Sequence, residues 1–111
     1  MSSQPPLASN MLTLFCWVLG DKSPFAVDIC PEKTIDHLKQ AIVARKPNRF
    51  HSIDADTLMV WKKYIVSREI RNFQESELHD QDQLDAVDEI GEYFKGPTKK
   101  HIHIVIKVPG K

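Results

Sequence analysis

The stretch LTLFCWVL, residues 12–19, decides the fold. Every position but Thr13 is apolar or cysteine, a pattern expected of a strand covered on at least part of both faces. A strand of that kind sits inside a sheet, with a neighbouring strand on each side of it. Downstream, Gly20-Asp21-Lys22-Ser23-Pro24 is a turn cluster, and Phe25, Val27 and Ile29 then fall on one face at period two. The two segments read as a hairpin. Pro31 closes the second strand, after which Ile35, Leu38, Ala41 and Ile42 recur at helical spacing. Thr34 is placed as N-cap, Asp36 suits the first turn, Arg45 and Lys46 suit the last, and Pro47 stops the helix.

Working further outward, residues 57–65 are rich in Leu, Val, Trp, Tyr and Ile and read as a third strand. Residues 66–82 are charged and aperiodic, with Ile70, Phe73 and Leu78 as their strong apolar anchors. Leu84, Val87, Ile90, Gly91 and Phe94 share a helical stripe, which predicts a second, shorter helix. Ile102, Ile104, Ile106 and Val108 alternate with His101, His103, Val105 and Lys107, which predicts a closing strand with its isoleucines inward. Residues 1–10 are polar and proline-bearing and are expected to form a disordered leader to a domain spanning 11–109. Placing the last strand beside the first and parallel to it, with the main helix across one sheet face, buries every apolar stripe and obeys the right-handed crossover rule. The expectation is an α+β fold of ubiquitin-like β-grasp type: a mixed sheet, one main helix packed across it, and a second short helix.

Composition narrows the functional classes. Fifteen basic residues balance fifteen acidic ones in 111, which removes the long-range positive field that non-specific nucleic-acid binding relies on. No direct nucleic-acid partner is expected. The apolar run 11–19 lacks a preceding Lys or Arg and a small-residue cleavage pattern, and it is too short to span a bilayer. Neither a conventional signal peptide nor stable membrane insertion is expected. Cys16 and Cys30 lie in strand-like surroundings and are expected to be free thiols, with a bridge open only if the hairpin brings them together.

Chemistry-bearing residues are sparse. His101 and His103 alternate on a strand and share a face, yet no further ligand stands at a recognisable spacing, so no metal or cofactor is expected. Asp54 and Asp56 flank Ala55 before a strand, where turn roles outweigh a metal-dependent acidic pair. No nucleophile with its base and no phosphate loop is apparent, so no enzyme is expected. The aromatic residues say more. If Leu12, Leu14 and Cys16 face the helix, Phe15 and Trp17 face the other way; if Leu58 and Val60 point inward, Met59 and Trp61 point outward, joined by His103 and Val105. That outer face is either covered by the helix at 84–94 or open as a partner-binding surface, including for a second copy.

The segments LTLFCWVLGD, TIDHLKQAIVARKP, DADTLMVWK, EYF and HIHIVIKVP together resemble the N-terminal header of the Crinkler family of secreted effectors. The family's oomycete branch carries a Leu-Phe-Leu-Ala-Lys motif linked to host-cell entry. Here Leu58, Met59, Val60, Trp61 and Lys62 stand in the matching place and keep only the first Leu and final Lys, which looks more like the fungal branch. The family's His-Val-Leu-Val-Val-Val-Pro boundary motif is matched by His103, Ile104, Val105, Ile106, Lys107, Val108 and Pro109. The resemblance implies a non-catalytic ubiquitin-like header that acts by protein contact in secretion and translocation. It further implies export by an unconventional route into a host cell, and the nucleus as a destination when an effector domain is attached. The Gly110-Lys111 ending is not a diglycine tail, so conjugation is not expected. A rival expectation is an intracellular ubiquitin-like adaptor that docks onto a signalling protein.

Overall fold

The computed structural model describes residues 11–94 and 101–108; the expected leader 1–10 and Pro109 lie outside them. Among the described residues four strands and one α-helix follow in the order β1 (Leu12–Val18), β2 (Phe25–Ile29), α1 (Ile35–Arg45), β3 (Met59–Val66) and β4 (His101–Lys107). They form one mixed sheet of order β2-β1-β4-β3. β1 pairs antiparallel with β2 and parallel with β4, and β3 closes antiparallel on β4. This is the predicted α+β arrangement, β-grasp in type.

Local chemistry explains the elements. Gly20 takes φ +93° at the hairpin turn, a conformation side chains disfavour, and Asp21 donates its amide to the Val18 carbonyl there. The indole Nε1 of Trp17 donates to the Asp21 carbonyl at 2.8 Å and locks the turn against the strand. Thr34 caps α1: its hydroxyl accepts from the His37 amide, and the His37 ring accepts from the Thr34 amide in return. Ile35, Leu38 and Ile42 are fully buried against Leu14, Val27, Ile104 and Ile106. Each contributes about 1.5–3 kcal/mol of burial relative to exposure.

Two expectations are corrected. The stripe at 84–94 is helical only as the 3-10 turn Ile90–Glu92. Its backbone groups are spent elsewhere: the Ala86 and Asp88 carbonyls accept the amides of Asp36 and Ile35, while Ile90 and Gly91 donate to the carbonyls of Lys33 and Pro31. Carbonyls and amides spent on α1 and on the segment before it cannot also close i→i−4 bonds, and the stretch makes such a bond at its end, from the Phe94 amide to the Ile90 carbonyl at 3.0 Å. Second, Ile102 does not share the inward face of Ile104 and Ile106. The β3–β4 register shifts between Lys62 and Ile65, and beyond that irregularity Ile102 packs with Ile65, Trp17 and Val105 on the opposite side.

Candidate functional site

The two sequence motifs meet. Met59, Val60, Trp61 and Lys62 pair one for one with Lys107, Ile106, Val105 and Ile104, so the segment matching the entry motif and the boundary segment are two sides of one ladder. Residues facing each other across neighbouring strands share a sheet face. Trp17, Val105 and Trp61 therefore form a row across three strands on the face away from α1.

That face is not open. Trp17 is 2% exposed, Trp61 7%, His103 1% and Val105 0%, while Phe15 and Met59 are half-buried. The cover is neither of the two alternatives drawn from sequence. Leu84, Ile90 and Phe94 pack into the α1-side core. The outer face is instead closed by the aperiodic stretch 67–82, a strap of short 3-10 turns that lays Ile70, Phe73 and Leu78 over Trp17, Ile65, Ile102 and Val105. The Phe73 ring meets Trp17 edge-on at 5.6 Å. Ion pairs of Lys63 with Asp82 at 3.9 Å and of Lys107 with Glu75 tie the strap to the sheet. The signal was present in Ile70, Phe73 and Leu78; what it lacked was a period.

Several of the motif residues have structural tasks. Leu58 is 1% exposed and Val60 0%. Lys62 donates from Nζ to the Tyr93 carbonyl at 2.7 Å, and the same ammonium lies over the rings of Phe94 (5.4 Å) and Tyr64 (5.7 Å). Leu58 and Lys62, the two positions shared with the Leu-Phe-Leu-Ala-Lys pattern, are thus a core side chain and a buttress for the segment before residue 95. His103 is turned into the sheet, where Nδ1 accepts the Phe15 amide at 3.0 Å among the rings of Phe15, Tyr64 and Phe94. Val108 packs against the α1-side core.

The remaining candidates are placed as follows. Asp54 caps the 3-10 turn Ala55–Thr57 with its carbonyl, which accepts from the Thr57 amide and hydroxyl, so the acidic pair stands at a turn. Cys16 and Cys30 are both free thiols: Cys16 faces Phe25 across the hairpin, whereas Cys30 follows Ile29, the partner of Leu12 at the other end of β1. Burial pushes the Cys16 thiol above its ordinary range. Among the described residues no helix is long and apolar enough to cross a membrane.

A four-stranded mixed sheet with its first and last strands parallel, one helix on one face and an irregular strap on the other, defines a β-grasp-like α+β domain. The chain belongs to the Crinkler family: residues 12–107 match the Crinkler effector protein N-terminal domain. It is 32% identical over 101 residues to Crinkler effector protein 1 of the fungus Rhizophagus irregularis, covering 88% of this chain and 22% of that protein. Crinkler effector protein 108 of Phytophthora sojae is 43% identical over 60 residues, 53% of this chain and 7% of that one. Crinkler effector protein 8 of Phytophthora infestans is 28% identical over 119 residues, 89% of this chain and 19% of that one. The chain therefore spans less than a quarter of the length of these relatives.

Proposed function

We propose that this domain is the non-catalytic header of a Crinkler-type effector, acting by protein contact in delivery to a host cell by an unconventional route, and to the nucleus when an effector domain is attached. The observation that carries the reading is the family match across residues 12–107, on relatives at least four times as long. It is supported by the work the reactive side chains already do in the fold: His103 holds the Phe15 amide, Lys62 holds the Tyr93 carbonyl, and the Cys16 thiol is sealed in the core. Groups committed in this way are poor starting points for acid–base or nucleophilic chemistry. The ubiquitin-like resemblance favours recognition of a protein through the surface around the sheet.

The test follows a reporter enzyme fused behind the domain in the producing organism, with and without residues 11–108. Reporter activity inside host cells that disappears when the domain is removed, while the producing cell still accumulates the fusion, is the expected result. Retention of both fusions in the producing cell would overturn delivery and favour an intracellular adaptor.

A further inference from the structure

At the far end of β1, a cleft of about 570 Å³ opens between the hairpin turn and the strap. Trp17, Ile70 and Phe73 form its apolar base, and Lys22 and Arg71 stand at its rim. The third rim charge is already satisfied, since Asp21 is held by the Arg49 guanidinium at 3.0 Å. The cleft thus presents an apolar floor beneath two exposed cations.

At the opposite end of the sheet stands an exposed apolar side chain. Val87 is 78% exposed, the most exposed large apolar side chain among the described residues. It projects from a fixed turn: the Val87 amide donates to Asp85 Oδ1 at 3.2 Å, and the Asp88 amide donates to the Asp85 carbonyl at 3.1 Å. The turn is pinned in turn to the start of α1 through the Ala86 and Asp88 carbonyls. Asp85 and Glu89 flank the valine as exposed carboxylates. This knob adjoins α1's first turn, which follows the β2 end paired with Leu12, whereas the cleft adjoins Gly20 beyond Val18. The full length of β1 separates them, so no single chain can fit its knob into its own cleft.

We infer that copies of this chain associate head to tail, with Val87 of one copy seated on Trp17, Ile70 and Phe73 of the next while Asp85 and Glu89 face Lys22 and Arg71. A second copy is the occupant the charges favour: the formal net charge is zero, so copies do not repel at long range, yet Lys22 and Arg71 at the cleft are opposite in sign to Asp85 and Glu89 beside the knob. The contact uses different patches on the two partners, so it leaves a free knob at one end and a free cleft at the other and extends as an open chain. With a single apolar anchor it is weak, concentration-dependent and sensitive to salt.

The test is analytical ultracentrifugation of the full chain across a concentration series at about 20 mM and about 500 mM salt, where surface charges are weakly and strongly screened. The expected result is a weight-average mass that climbs with concentration at low salt and falls back at high salt. Val87→Asp removes the knob, and Lys22→Glu with Arg71→Glu inverts the cleft rim; each preparation alone associates at least about tenfold more weakly. Mixed in equal amounts, the two restore association but stop at a one-to-one dimer, because each still supplies the half the other lacks. All these positions are exposed, and unchanged circular dichroism confirms folding. A parent that stays monomeric throughout, variants that associate as well as the parent, or a mixture that stays monomeric would each overturn the proposal.

Discussion

The amide of Phe15 donates to Nδ1 of His103 at 3.0 Å, so an imidazole fills the place in the β1–β4 ladder where a main-chain carbonyl would ordinarily stand. The regular pairing of the two strands starts one residue further on, at Cys16 and Ile104. His103→Leu fills similar space but offers no acceptor, leaving a part-buried amide unmatched at a cost of about 1–3 kcal/mol. His103→Asn restores an oxygen near the same point and recovers part of that loss. Urea denaturation of the three proteins measures it; equal stability of the Leu and Asn variants would show that the hydrogen bond contributes nothing.

Lys62 is expected to behave as a structural residue. Lys62→Met keeps the apolar stem but loses the bond to the Tyr93 carbonyl and the cation over Phe94, lowering stability by about 1–2 kcal/mol. The effect should appear in the purified domain with no host cell present. A Met variant as stable as the parent would instead mark Lys62 as available for recognition, and a loss of delivery on its substitution could then be read directly.

The two tryptophans should respond differently to the same change. Trp17 Nε1 donates to the Asp21 carbonyl, whereas Trp61 Nε1 is buried without a hydrogen-bond partner among the described residues. Replacing Trp61 by Phe removes an unmatched donor along with some apolar area, and the two effects oppose each other. Trp17→Phe loses the area and the bond together. Thermal or urea unfolding should place Trp17→Phe about 1–2 kcal/mol below Trp61→Phe; the reverse order would contradict the assignment.

What was legible in the sequence was whatever repeats. Ile35, Leu38 and Ile42 announced the helix, and the apolar run from Leu12 announced a strand buried on both sides, because one period held over enough residues to fix a face. The strap was illegible because consecutive 3-10 turns impose no shared period on Ile70, Phe73 and Leu78. The stretch 84–94 misled for a different reason. Its spacing is helical, but Val87 lies in solvent while Leu84, Ile90 and Phe94 are buried, and its backbone bonds run to α1 and to Pro31. Alternation places Trp17, Val105 and Trp61 as neighbours across the sheet, but whether that face was covered or open stayed undecided, since alternation reports which side a residue faces and not what lies over it.

The thiols offer a check on the packing of β1. Cys16 is buried and its thiol held in the neutral form, while Cys30 is half-buried beyond the end of β2. An aromatic disulfide reagent at mildly alkaline pH should modify Cys30 promptly and reach Cys16 only after denaturant is added, since the thiolate is the reacting form. With Cys30→Ser the native protein should show no prompt reaction. Rapid labelling of Cys16 in that variant would mean that β1 opens readily and that the sheet is looser than the core contacts require.

Tyr93 provides the pH dependence. Its hydroxyl donates to the Asp88 carboxylate, and that bond, with partial burial and the nearby charges of Asp88 and Glu92, pushes its pKa up from 10.0 to about 12. Because the folded value lies above the unfolded one, the fold gains from the protonated phenol. That contribution is fully present below pH 10 and is lost as pH rises through about 12. In a Tyr64→Phe background Tyr93 is the one remaining tyrosine, and its phenolate absorbance near 295 nm should rise late in the titration. Adding Asp88→Asn should move the rise down toward 10, the ordinary value. Far-ultraviolet circular dichroism recorded alongside separates ionisation within the fold from ionisation released by unfolding. A midpoint that ignores the Asp88 substitution would mean that the Tyr93–Asp88 bond does not form in solution, and the turn presenting Val87 would lose one of its ties.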